Sequence, residues 1–160
     1  MPNPVTCATA MREIAAYSEQ DIAHVRDSMA PLTGKIGLLM AAINTRLTGG
    51  KGEEFLFDDD PELAREFGQQ LTEFVMRSSA GNFTDEYCQY AAGFATRLSK
   101  RPPLAAMVAV NTIISQWLTQ ALTDVYKDDS QKLAATLTAW QRMLGVNMAL
   151  LVLPWDSVEK

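Results

Sequence analysis

The sequence is poor in the side chains that most enzyme and metal sites require. It holds one histidine, His24, and two cysteines, Cys7 and Cys88, which lie far apart and form no Cys-x-x-Cys pair. Structural zinc sites draw their ligands from closely spaced cysteines and histidines, so no metal site of that kind is expected. Two cysteines do not make a disulfide framework either, and free thiols in a reducing cytoplasm are the expectation. There is no Gly-x-Ser-x-Gly elbow and no plausible histidine base, so the chain is not expected to be an enzyme. Gly49-Gly50-Lys51-Gly52 lacks the spacing of a phosphate loop and the strand before it, and reads as a helix terminus and connector.

Long apolar runs are missing as well. The longest, Met148 to Leu153, is too short to span a bilayer, and the opening Met-Pro-Asn-Pro has no basic-then-apolar signal pattern. A cytoplasmic protein without membrane insertion is expected. Positive charge is also scarce: the formal net charge is −5, which repels nucleic-acid backbones and anionic headgroups. Alternating runs of β-branched residues are absent, which removes the usual signal for strands.

What remains is helical. The 160 residues, 48% hydrophobic and 21% charged, suit one domain over 1–160 with a substantial core. A short helix is expected from Thr6 to Tyr17, and Ser18 with Asp21 caps a second running to about Met29. Pro31 is expected to open a third, with Leu32, Ile36, Leu39, Met40, Ile43 and Leu47 at three- and four-residue intervals before Gly49-Gly50. In Asp58-Asp59-Asp60-Pro61 the acidic run suggests metal, but Asp before Pro is also an ordinary helix start, and that reading is preferred.

The helix so started carries Leu63, Phe67, Leu71, Phe74 and Val75 on one face and breaks at Ala80-Gly81-Asn82. Thr84 begins the next, with a stripe of Tyr87, Tyr90, Ala91, Phe94 and Leu98 beside the small residues Ala92, Gly93, Ala95 and Thr96. Pro102-Pro103 separates it from a long helix to about Lys127. The last helix, Ser130 to Leu153, is apolar around most of its circumference. Either neighbouring helices enclose it or a second copy of the chain covers it, and a homodimer through the last two helices is the preferred expectation.

The order of helices and several local strings resemble the globin domain of bacterial globin-coupled sensors over nearly the whole chain. Ser18-Glu19-Gln20-Asp21-Ile22 resembles the early "T-E-x-D-I" region of that family. Glu53-Glu54-Phe55-Leu56 follows at a suitable distance, Asp85-Glu86-Tyr87 opens the F-helix equivalent, and Ala92-Gly93-Phe94-Ala95-Thr96 with Arg101-Pro102-Pro103 resembles "Ile-Gly-x-x-His … Leu-Pro-Pro". The resemblance implies an all-α, globin-like fold with an extra N-terminal helix. Two departures bear on the cofactor. Thr96 stands where the family has its proximal haem histidine, and Ile43 stands where it has a distal tyrosine. A threonine hydroxyl does not replace an imidazole on iron. His24 falls on an early helix and reads as a surface-helix residue outside the pocket.

The resemblance therefore implies a haem-free variant, as in the globin-like input domains of some stress-response and sporulation regulators. Such a fold must fill its pocket with side chains or take another apolar guest, for instance a fatty acid. Leu39, Ile43, Phe67, Leu71, Thr96, Met107, Val110 and Ile114 are the candidate lining residues. Two alternatives stay open: a haem-binding gas sensor with an unusual iron ligand, and a helical adaptor for a separate signalling protein. If the chain is the whole protein, its output is expected to be an interaction.

Overall fold

The computed structural model describes residues 2–47, 57, 60–98 and 104–155, in which the regular elements are seven α-helices. The all-α class expected from the pattern is what the chain adopts. α1 spans Pro4–Ile14 and is capped by Asn3, whose side chain accepts from the amides of Val5 and Thr6, with Pro4 in the first turn. α2 spans Glu19–Thr33 behind the capping box expected at Ser18 and Asp21. α3 covers Ile36–Leu47, and α4 covers Pro61–Ser78. Asp60 caps α4 by accepting from the amides of Glu62 and Leu63, so the described end of the acidic run is a helix start. α5 spans Asp85–Leu98, α6 Leu104–Val125 and α7 Ser130–Val152.

Pro31 corrects one expectation. It lies within the last turn of α2 rather than opening α3. A proline there removes one hydrogen bond and crowds the preceding turn, but only two residues of helix follow it. Leu32, 1% exposed, therefore belongs to the inner face of α2, and α3 begins afresh at Ile36.

α7 is the axis of the fold. It packs against α2, α1, α6 and α5, while α3 leans on α6 and α4, and α4 also touches α5. Ala139, Met143, Val146 and Leu150 recur at three- and four-residue steps and are all essentially inaccessible. Burying a leucine such as Leu150 contributes about 1.5–3 kcal/mol. The apolar circumference that suggested a second copy is thus enclosed by the chain's own helices, with Leu144 and Leu151 buried as well and Met148 and Val152 half-buried. The outward residues of α7, including Ala134, Thr138, Gln141 and Gly145, are small or polar.

Polar cross-links fix the outer helices to this axis. Asp21, the acid of the α2 capping box, also accepts from Arg142 of α7 at 3.2 Å. The indole N–H of Trp140 donates to Ser28 Oγ at 2.8 Å, which in turn donates to the carbonyl of Val25. The Tyr17 phenol, between α1 and α2, donates to the carbonyl of Gly81 at 2.6 Å, and Arg26 donates to that of Ala80. Gly81 has φ +69°, a left-handed conformation that favours glycine, and a Cβ there would sit 3.2 Å from both Tyr17 Oη and Val25 Cγ1. The α4–α5 turn is therefore fitted closely against α2.

Cys88 is buried on α5 and Cys7 half-buried on α1. Among the described residues no helix is long and apolar enough to cross a membrane, and no group of three His, Cys, Asp or Glu residues could hold a metal ion.

Candidate ligand-binding crevice

Where α2, α3, α4, α6 and α7 meet, their apolar stripes leave a crevice with a cavity of about 50 Å³. α2 supplies Met29 and Leu32, α3 Ile36 and Leu39, and α4 Leu71, Phe74 and Val75. α6 contributes Met107, Val110, Asn111, Ile114, Trp117 and Leu118, and α7 contributes Trp140, Met143, Leu144, Asn147, Met148 and Leu151. No ionisable side chain lines it. Ser78 and Ser79 at the end of α4 and the two asparagines are its polar residues.

Four of the chain's eight methionines face this space. Methionine is unbranched and adapts its rotamer to what it meets, so the wall is deformable where Met107 and Met143 form it. A water needs roughly 10–15 Å³ of such volume, so the resting cavity has room for a few atoms, and a larger guest requires these side chains to move.

The polar residues within the crevice are coupled. The Tyr87 phenol donates to Asn147 Oδ1 at 2.6 Å, and Asn147 Nδ2 lies 2.8 Å from Met143 Sδ. Ser78 donates to the Val75 carbonyl at 3.0 Å. Burial pushes the Tyr87 pKa far above its ordinary value, with the neighbouring Tyr90 and Cys88 adding to the rise. It stays a neutral donor. Tyr87 belongs to an aromatic cluster in which Phe83, Phe74 and Tyr90 all lie within 6.5 Å of its ring, and Phe74 stacks on Phe94 at 4.8 Å. That cluster holds the phenol in place from the α4–α5 side.

A second space, about 530 Å³, lies between α3 and α4 and includes Met40, Ile43, Asn44, Leu47, Arg65, Phe67 and Thr72 in its walls. It is larger but open, and its cation Arg65 is well exposed beside Glu62. An apolar guest would lose less of its water there than in the crevice, so size alone does not make it the better site.

Of the residues singled out in the sequence, Leu39, Leu71, Met107, Val110 and Ile114 come together around the crevice. Ile43 and Phe67 are buried but line the α3–α4 groove instead. Thr96 lines neither space: it is exposed on α5, and its hydroxyl donates to the Ala92 carbonyl at 2.8 Å. His24 is half-buried on α2 and outside both. Gly49 to Leu56, Asp58-Asp59 and Arg101-Pro102-Pro103 lie outside the described residues.

Sequence reasoning missed Asn147, Asn111, Trp117 and Met143. One signal was available for the first: Asn147 is the single strongly polar residue between Leu144 and Leu153.

No protein-family model, no curated protein and no solved structure matches the chain.

The crevice does not fit haem. No imidazole faces it, and its volume is far below the roughly 300–1,000 Å³ typical of cofactor pockets.

Proposed function

We propose that the chain is a haem-free, globin-like sensory domain that binds a small apolar molecule in the crevice between α4, α6 and α7 and acts by interaction rather than catalysis. One observation carries this reading: stripes from five helices converge on an uncharged, methionine-rich space, with neutral asparagines inside it. That is the composition of a binding pocket with one or two orienting groups. The globin-like part rests on the sequence strings and on the order of helices.

The route from ligand to output runs through α6 and α7. Trp117 of α6 and Trp140 of α7 both border the crevice, and Gln141 of α7 donates to Ser115 of α6 at 2.9 Å. A guest that parts these helices favours the arrangement in which they are parted, and it shifts the population by its differential affinity for that state. The outward face of α6 includes Ala105, Val108, Thr112, Gln116 and Thr119, and no ionisable residue occurs from Leu104 to Thr123. Depletion of charge at the centre of a face is what protein interfaces share, which supports a homodimer through α6 and α7.

Native mass spectrometry of the freshly purified protein, recorded beside its visible spectrum, tests this reading. A colourless dimer is expected, with or without a small added mass. A subunit carrying the mass of haem with a sharp Soret band would refute the haem-free assignment, and a monomer at micromolar concentration would refute the dimer.

A further inference from the structure

We propose that the guest of the crevice is a neutral carbonyl compound, an apolar body carrying one hydrogen-bond acceptor, which the side-chain amide of Asn147 receives. This deepens the reading above and rests on the crevice being a ligand site.

The amide is 4% exposed, and its orientation is set by the Tyr87 phenol, which donates to Oδ1. Nδ2 is thereby left as the donor side of the group. Its partner in the structure is the thioether of Met143, a weak acceptor for a buried amide that has two N–H bonds to offer. Asn147 and Met143 both line the crevice. A carbonyl oxygen brought there is a stronger acceptor than sulfur, and the flexible Met143 can turn aside, which enlarges the cavity as it releases the amide.

Charge narrows the class further. A carboxylate in this space would be buried without a cation, and an ammonium without an anion, because no ionisable side chain lines the walls. Either carries a desolvation cost that nothing nearby offsets. The same chemistry that admits a ketone, aldehyde or ester therefore rejects a fatty-acid anion.

The test uses three monosubstituted benzenes, toluene, acetophenone and benzoate, titrated at pH 7 while the indole signals of Trp117 and Trp140 and the side-chain amide signal of Asn147 are followed by NMR. Acetophenone is expected to bind and to move the Asn147 amide signal, toluene to bind without moving it comparably, and benzoate to give no saturable shift. In Asn147→Leu the affinity ratio of acetophenone to toluene is expected to fall about two- to tenfold, the range of one hydrogen bond, while toluene binding persists and reports an intact crevice. An unchanged ratio, an Asn147 signal indifferent to acetophenone in the unaltered protein, or benzoate binding as tightly as acetophenone overturns the proposal with the crevice reading intact. Failure of all three probes to bind overturns both.

Discussion

The α2–α5–α7 side of the molecule and the α3–α4–α6 side both bury apolar stripes, yet they are held together differently. On the first, side-chain hydrogen bonds join distant segments: Asp21 to Arg142, Ser28 to Trp140, Tyr17 to Gly81 and Tyr87 to Asn147. On the second, among the described residues, an exposed Arg46–Gln116 bond and a Thr72 hydroxyl 3.8 Å from Met40 Sδ link distant segments. Directional bonds specify one arrangement, whereas apolar contacts tolerate several. The crevice lies along the seam between the two sides. One wall is fixed and carries the oriented amide, and the other is free to adjust around a guest.

If that contrast is real, substitutions on the fixed side cost most. Asp21→Ala removes the acid half of the α2 capping box and the partner of Arg142 together. A loss of about 2–4 kcal/mol is expected, read as a lower urea midpoint at unchanged slope. A loss under about 0.5 kcal/mol would show that the cross-link holds nothing.

Gly81→Ala comes next. The new Cβ meets Tyr17 and Val25 at 3.2 Å, in a conformation that disfavours L residues. About 1–3 kcal/mol of destabilisation is expected from the same titration. A neutral outcome would mean that the turn is not fitted against α2.

Alkaline pH weakens the same side. Burial raises the phenol pKa values of Tyr17 and Tyr87, whereas in the unfolded chain a tyrosine ionises near about 10. Above that pH the unfolded chain releases protons that the fold retains, so the stability present below it is lost progressively as pH rises. Thermal melts from pH 8 to 11 are expected to show a falling midpoint above about pH 10. With Tyr87→Phe the slope of that fall should be shallower.

The smallest effects belong to the adjustable side. Met107→Leu, a volume-conserving change in the crevice wall, is expected to cost under about 1.5 kcal/mol. Arg46→Ala removes an exposed hydrogen bond and is expected to cost no more than about 0.5 kcal/mol. Either exceeding the cost of Asp21→Ala would erase the contrast.

Much of this was legible in the residues, and the reasons are physical. Caps and periodicity are local, so Ser18 with Asp21, Asp60 with Pro61, and the stripe from Leu63 to Val75 all marked helices correctly. Pro31 misled because the final turn of a helix tolerates a residue that its interior does not. Leu39, Leu71, Met107 and Val110 reached the crevice because each follows the inward stripe of its helix. Ile43 sits one turn beyond Leu39 on the same stripe and so reaches the next space along, the groove. Thr96 was placed by a motif and not by its own periodicity, and it points outward. The Tyr87–Asn147 bond spans 60 residues, a pairing that local sequence does not encode. The apolar circumference of α7 could not by itself distinguish burial within the chain from burial by a second copy.

The central claim is that an apolar, guest-accepting space exists between α4, α6 and α7. Xenon-pressurised crystals test it most directly, since xenon enters dry apolar cavities and scatters strongly. A xenon atom is predicted against Met107, Met143 and Leu71, with the helix backbones unmoved. Side chains filling that volume, and no xenon at the seam under pressure, would contradict the claim.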